Sequence, residues 1–478
     1  MNIAIVNPPR FDGVSVVREE RCEVTERYSV LEPYSLLQLA ALLQAGGHRV
    51  RLLDANGANA SYGQVESWLR RTAYDALIFR FTPTTFDHDL RLATLSKKLR
   101  PDARTIGICW TLRTMPADVL REAPDLDIYL RHEYENVGTR LLNALENGAP
   151  LDGVPGIAFR ENGGFHVTND ARAIADYDAM PIPAYELLPS LDPYFISAHA
   201  CQPFTIMYAS KGCPFACSFC TVARTTWKFR SAAHVLEELT FLRDRYRIRT
   251  VSFFDETFTM SKKRVRELCA GIRREGLDVR WYCNTRVHLV DPDLLREMRS
   301  AGCSGISYGV ESGNQGILDT VSKQATVAQA EHALRWAKEA GIKTYAAFIL
   351  GLPGETWESA MDTIEFAMRT LPNGAQFNVL APYPGTELYE NLRQRGVLPE
   401  VDWRALYQDS AVVGTDGLSR AELNRLRRLA YTKLYFNPRW WWQNLRFALS
   451  SRDDFQLASR YGLRILSNYF VHGMRGSH

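Results

Sequence analysis

Over residues 1–150, short apolar runs take turns with stretches of helical period. Asn2 to Val6 is an apolar run closed by Asn7-Pro8-Pro9, which predicts a buried strand and then a loop. Leu36 to Ala45 has helical period and stops at Gly46-Gly47. Arg49 to Leu53, Tyr74 to Phe81, Thr105 to Ile108 and Asp127 to Leu130 predict four further strands, with helices over Leu90 to Leu99 and Asn136 to Leu145. Such alternation predicts a parallel sheet with helices on both faces. Ligands of such sheets bind at the carboxyl ends of the strands. Here that edge includes Pro8-Pro9-Arg10, Thr82-Pro83-Thr84-Thr85 and Cys109-Trp110-Thr111.

Residues 151–200 are punctuated by Gly153, Pro155, Gly163, Gly164, Pro181, Pro183 and Pro189, which predicts a hairpin and an extended linker. From 201 to 395 the alternation returns. Strands are expected at Phe204–Tyr208, Thr250–Phe254, Arg280–Cys283, Gly305–Tyr308, Thr344–Leu350 and Gln376–Leu380. Helices fall between them, as at His234–Arg245, Leu294–Ala301 and Val327–Ala340. Six such repeats fit a partial parallel (β/α)6 barrel, whose chemistry gathers at the C-terminal strand ends. Residues 396–478 read as helical, basic and aromatic, with Leu423 to Leu434 followed by Pro438-Arg439-Trp440-Trp441-Trp442. The tryptophan run lacks amphipathic spacing, so it is expected to close the open side of the barrel as core. A peripheral lipid contact through this region is the other reading.

Composition narrows the classes. The chain has 478 residues, 46% hydrophobic and 23% charged, which excludes a disordered chain and a small disulfide scaffold. The net charge of +3 gives no reason to expect a nucleic-acid partner. No run approaches about 18 uninterrupted apolar residues, and the N-terminus has no secretory pattern, so a cytoplasmic protein is expected. No G-x-G-x-x-G follows the first strand, so a nicotinamide cofactor is not expected.

Six of the nine cysteines are scattered, but Cys213, Cys217 and Cys220 form a C-x3-C-x2-C cluster directly after a predicted strand. Thiolates at such spacing suit soft metals and iron–sulfur clusters. Three readings stand: buried structural thiols, a zinc site completed by Cys201 or His199, and a cubane with one iron lacking a protein ligand.

The cluster resembles the signature of the radical S-adenosylmethionine (SAM) enzymes, with aromatic Phe219 where the family has one. Three further segments resemble the family's motifs in order: Ser252-Phe-Phe-Asp255-Glu256, Gly309-Val-Glu311-Ser312-Gly313 and Phe348-Ile-Leu-Gly351-Leu-Pro-Gly354-Glu355. The resemblance implies a [4Fe-4S] cluster on the three cysteines and SAM on its open iron. Phe219 and Gly351 would then lie by the adenine, Asp255 and Glu256 by the methionyl amino group, Glu311 and Ser312 by the ribose and carboxylate. It further implies reductive SAM cleavage, a 5′-deoxyadenosyl radical and hydrogen abstraction from an unactivated carbon. A small-molecule or natural-product substrate and a flavodoxin or ferredoxin as reductant go with it. Each residue has a plainer reading. Glu311 can be a salt-bridge acid, Asp255 and Glu256 helix caps, and Arg286 a solvated arginine or a carboxylate holder.

The N-terminal pattern is similar to the flavodoxin-like, Rossmann-like cobalamin domain that precedes the barrel in one radical SAM subfamily. That subfamily includes methyltransferases and the anaerobic magnesium-protoporphyrin ester cyclase. The resemblance implies cobalamin near Pro9, Thr82, Thr84 and Trp110, followed by methyl transfer or carbon–carbon ring formation. The sequence departs from the pattern. Gly107-Ile-Cys109-Trp110-Thr111 replaces a Gly-Gly-x-His stretch, and Arg131-His132-Glu133-Tyr134-Glu135 replaces Arg-Gly-Glu-Gly-Glu. Asp87-His88-Asp89 does not match D-x-H-x-x-G, so no histidine of that motif would ligate cobalt. The alternatives are a radical SAM enzyme without corrinoid, acting by dehydrogenation or sulfur insertion, and a zinc-stabilised binding protein.

Overall fold

A computed structural model describes residues 1–19, 22–26 as backbone, 29–161, 163–196, 202–396, 398, 402–406, 408, 411, 414–449 and 455. Cys201, His199 and the Cys22 side chain lie outside the described residues.

The first sheet has five parallel strands in the order Arg49–Asp54, Asn2–Asn7, Ala76–Arg80, Arg104–Ile108, Ile128–Leu130. Both faces of Asn2–Asn7 are covered, which is why Ile3 to Val6 can all be apolar. The hairpin Ile157–Glu161 and Gly164–Val167 extends this sheet antiparallel to Ile128–Leu130. A second hairpin, Ser15–Glu19 with Cys22–Glu26, has no counterpart in the sequence reading. Asp87-His88-Asp89 falls in the first turn of the helix Phe86–Leu99, where acidic residues suit the positive helix end.

The second sheet has six parallel strands in chain order: Phe204–Met207, Thr250–Phe253, Arg280–Thr285, Cys303–Glu311, Lys343–Leu350 and Gly374–Val379. Phe348 packs on Phe366 of the helix Trp357–Thr370, so alternation turns Tyr345, Ala347 and Ile349 toward the lumen. Trp281 anchors the helix-facing core: fully buried, it packs on Phe253 and Phe258 and donates from Nε1 to Ala301 O at 2.7 Å.

Side chains close both edges of this half-barrel. On the first strand, Ile206 N and Thr205 Oγ1 donate to Oε1 of Glu32, a residue of the N-terminal region. On the last strand, Phe377 N and Ala375 N donate to the hydroxyls of Tyr431 and Tyr435, and Arg427 Nε donates to Phe377 O at 2.9 Å. These three residues lie on the helix Arg420–Tyr435. The C-terminal region therefore does cover the barrel, but through this helix. Of the three tryptophans, Trp440 is buried and donates to Pro372 O at 2.9 Å. Trp441 and Trp442 are exposed, against the expectation that the run is core. Successive residues of a helix point about 100° apart, so a three-residue run cannot all face inward.

Burial pushes the Glu32 carboxyl up to about 8 from an ordinary 4.5, although its bonds to Thr205 and Ile206 pull it down. The folded state therefore holds the proton more tightly than the unfolded chain. Its contribution is complete below about pH 4.5 and is lost as pH rises toward about 8. Glu32→Gln removes this dependence. The melting temperature of the wild type is expected to fall relative to that of the variant between pH 5 and 8. Parallel profiles would contradict it.

Candidate functional site

Residues 212–227 leave the first barrel strand as a loop whose base is a short ladder, Ser210–Lys211 against Lys228–Phe229. Gly212 opens the loop at φ +85°, and a Cβ there would lie 2.2 Å from Thr226 O, so the turn requires glycine. Thr225 closes it: Cys213 N donates to Thr225 Oγ1 at 2.9 Å and Thr225 N to Cys213 O at 3.1 Å. Cys213 and Cys217 are buried and Cys220 is half-buried. Burial raises the Cys213 thiol and pushes Cys220 up to about 12, so metal binding is what would favour their thiolates.

Asp255 and Glu256 fasten this loop to the second strand. The Asp255 carboxylate is fully buried and accepts Ala209 N at 2.9 Å and Ser210 Oγ at 2.5 Å. Glu256 accepts Gly212 N at 3.0 Å. Neither caps the following helix. Arg286 is buried rather than solvated. Its Nη1 donates to Cys217 Sγ at 3.2 Å and its Cζ stands 4.0 Å from the Phe215 ring centroid. Its Nε and Nη2 have no partner among the described residues. The neighbouring His288 is driven down to about 4 by burial and by Arg286, so it adds no charge at neutral pH.

The fourth strand ends at Glu311, whose backbone is left-handed at φ +70°. Its carboxylate accepts Lys323 Nζ at 2.6 Å, and a Cβ on Gly309 would strike that oxygen at 2.5 Å. Glu311 thus forms a salt bridge, but a buried one at a strand end. Ser312 is turned inward to Thr363 Oγ1 at 3.0 Å and supports the turn. Gly351, at φ +88°, donates its N–H to Glu355. Burial raises the Glu355 carboxyl to about 7, and its Oε1 has no partner among the described residues. Phe219 packs on an apolar group that includes Leu352, Leu380 and Val321.

In the N-terminal sheet the expected edge divides. Pro9 and Thr82 lie under the new hairpin. Arg18 donates to Pro8 O, Pro9 O and the Asp89 carboxylate, with both side chains buried. Thr82 Oγ1 bonds to Thr85 at 2.8 Å and Thr84 at 3.3 Å within this network. Trp110 instead lines a crevice between the two sheets, with Leu130 to Glu135 on one side and Lys211, Thr225, Thr226 and Glu256 on the other. The inner part has a cavity volume of about 40 Å³ and the outer part about 780 Å³. Lys211 crosses it, donating to Glu135 Oε1 at 2.7 Å and Tyr134 OH at 2.6 Å. Trp110 Nε1 and Arg113 Nη2 both donate to Thr221 O on the cysteine loop. Burial lowers the His132 imidazole to about 4 despite Asp170, so it is neutral. Sequence reasoning passed over Lys211 and Glu135 as site residues. Their signal was a charge of each sign beside a strand end, visible only once the sheets are docked.

Among the described residues no three His, Cys, Asp or Glu groups gather closely enough to hold a single ion. Cys201 and His199, which the zinc reading needs as a fourth ligand, lie outside the described residues.

The radical SAM superfamily model matches residues 207–367. An uncharacterised methyltransferase of Pyrococcus horikoshii, PH0819, is 30% identical over 395 residues, covering 82% of this chain and 85% of the relative. The anaerobic magnesium-protoporphyrin IX monomethyl ester cyclase of Rubrivivax gelatinosus is 30% identical over 410 residues, covering 82% and 72%. The chain belongs to the radical SAM superfamily. It is an enzyme of the methyltransferase or cyclase type. In fold, this radical SAM protein is similar to the methyltransferase TsrM of Kitasatospora setae, solved with cobalamin and a [4Fe-4S] cluster. The TM-score is 0.71 at 16% identity, over 92% of this chain and 89% of that one. The α/β architecture expected from the sequence, a parallel sheet followed by a six-strand radical SAM sheet and C-terminal helices, is the one observed. No described helix is long and apolar enough to cross a membrane.

The Lys211–Glu135 pair is buried on both sides. Burial opposes ionisation of Glu135, but Lys211 and then Lys228 outweigh it and hold the carboxyl at about 2. Glu135→Gln strands a buried ammonium, at a cost of about 3–5 kcal/mol. Chemical unfolding is expected to show that loss, and the double variant Lys211→Met with Glu135→Leu to recover most of it. Equal losses in the two would refute a buried, coupled pair.

Proposed function

We propose that this protein is a cobalamin-dependent radical SAM methyltransferase acting on an unactivated carbon of a small-molecule or natural-product substrate. One observation carries the reading: three thiols on a single loop at a strand's C-terminal end, Cys217 among them bonded to a buried guanidinium whose other two nitrogens have no partner among the described residues. The residues fit the group. Three donors leave a cubane one iron without a protein ligand, and a buried, half-unpaired arginine suits a carboxylate.

When bound, the reduced cluster supplies the electron that cleaves SAM, and cobalamin supplies a methyl carrier. Cys213, Cys217 and Cys220 hold the cluster. Arg286 balances its negative charge through Cys217 and orients the carboxylate of SAM with Nε and Nη2. Gly351 and Phe219 form the apolar side near the adenine, and the Glu311–Lys323 pair fixes the strand end beneath. Asp255 and Glu256 position the cysteine loop rather than touch SAM. Trp110, His132 and Thr226 line the corrinoid crevice between the sheets. The match spans 85% of the Pyrococcus methyltransferase against 72% of the Rubrivivax cyclase at the same identity, which supports methyl transfer over ring formation. A flavodoxin or ferredoxin is the proposed reductant.

Cys217→Ala is expected to abolish the brown absorbance of the anaerobically reconstituted protein and its reductive cleavage of SAM. Retention of either would remove the cluster assignment. Wild-type protein incubated with hydroxocobalamin should keep corrinoid absorbance through gel filtration, and with SAM and reductant should add CH2 to substrate by mass spectrometry. Arg286→Met removes a charge-assisted contact of about 1.5–3 kcal/mol, which predicts SAM binding about 10–100-fold weaker with cluster absorbance retained. Unchanged SAM affinity would show that Arg286 does not hold the carboxylate.

A further inference from the structure

The helix Pro438–Ala448 has a buried side and a bare one. Trp440 and Ala448 point inward, and Gln443 and Asn444 bond to Leu371 O and the Asn373 side chain. The opposite side presents Trp441, Trp442, Leu445 and then Leu449, the spacing of one helical face. Trp442 is 65% exposed, Leu449 68% and Phe436, one turn before, 59%. Arg439 and Arg446 are exposed beside them. A contiguous exposed apolar patch of this kind marks an interaction site.

Charge identifies the occupant. Between Leu423 and Arg452 the sequence has seven Lys or Arg and no Asp or Glu. Phe447 of the same helix also lines a cleft at the amino-terminal ends of the barrel strands, together with Arg273, Arg299 and Lys343. Asp278 lies in the same cleft. An aromatic and leucine face bordered by arginine is the chemistry of an interfacial helix. A second copy of the chain would set arginine against arginine across a two-fold axis. Residues 450–478 carry four arginines against two aspartates, so they too bring net positive charge.

We propose that this face docks on an anionic lipid surface, with Trp441, Trp442, Leu445 and Leu449 entering the headgroup boundary and Arg439 and Arg446 meeting the phosphates. The cofactor-bearing strand ends lie at the other end of the barrel from the basic cleft, so docking there leaves the site crevice open. The inference stands independently of the cofactor assignment.

The test is sedimentation of the full-length protein with vesicles of phosphatidylglycerol and phosphatidylcholine in equal parts, and with phosphatidylcholine alone. Binding to the anionic vesicles is expected, weakening with salt, and little to the neutral ones. The double variant Trp442→Glu with Leu445→Glu is expected to bind at least about tenfold more weakly, since it removes apolar insertion and adds repulsion. Arg439→Ala should weaken binding about fivefold, as one basic group near such a surface contributes. Both changes fall on exposed side chains, and unaltered melting curves will show that the fold is kept. Three results would overturn the proposal: no wild-type binding to anionic vesicles, binding that the double variant leaves unchanged, or a wild-type dimer that the variant dissolves without any vesicle binding. Binding that appears only after deletion of residues 450–478 would equally overturn it, by showing the face covered from within the chain.

Discussion

A half-barrel of parallel strands has two raw edges, and the architecture of this protein follows from how they are closed. An unpaired edge strand exposes backbone donors and acceptors that invite another chain. Here Glu32 accepts Ile206 N and the Thr205 hydroxyl of the first strand, and Tyr431, Tyr435 and Arg427 bond to Phe377 and Ala375 of the last. The flanking regions are thus bound to the barrel by backbone chemistry, not only by apolar contact. Because Glu32 comes from the N-terminal region, closing that edge docks the first sheet beside the cysteine loop. The crevice between the sheets is a consequence of that docking, and Lys211 with Glu135 fixes its width.

The same docking explains which parts of the site were legible in sequence. The cysteine loop was legible because its pattern is local: a strand, a glycine and three thiols within eight residues. The strands were legible because a parallel sheet buried on both faces demands continuous apolar runs. Arg286 was ambiguous as a sequence residue, since only the fold brings Phe215 and Cys217 around it. A general rule about strand ends puts Pro9, Thr82 and Thr84 at the crevice, but Arg18 of a hairpin invisible to that rule bonds to Pro9 O, and Thr82 is tied to Thr84 and Thr85. A rule that names an edge cannot say which part of the edge a later segment will roof.

Asp255 and Ser312 illustrate a related limit. Each stands in a motif whose resemblance implies contact with SAM, and each is fully buried with its oxygen committed to protein. A buried carboxylate needs partners, and the loop amides supply them at once. Such residues shape the site by holding the strand ends that carry it. Motif resemblance identifies the segment, while burial decides whether a side chain faces the ligand or the scaffold.

The departures from the family pattern in the N-terminal region have a physical reading in the same terms. His132 and Tyr134 stand where glycines would let backbone approach a ligand closely. In this chain they are put to use across the crevice: Tyr134 accepts the Lys211 ammonium and His132 packs its ring edge on Trp110. Side chains there narrow the inner crevice, which keeps a cavity of about 40 Å³, against about 780 Å³ in the outer part beside Trp227 and Phe229. A planar macrocycle therefore has room chiefly on the outer side, between Trp110 and the closing strand of the cysteine loop. The side chains that stand in place of the glycines thus restrict the inner crevice and leave its outer part open.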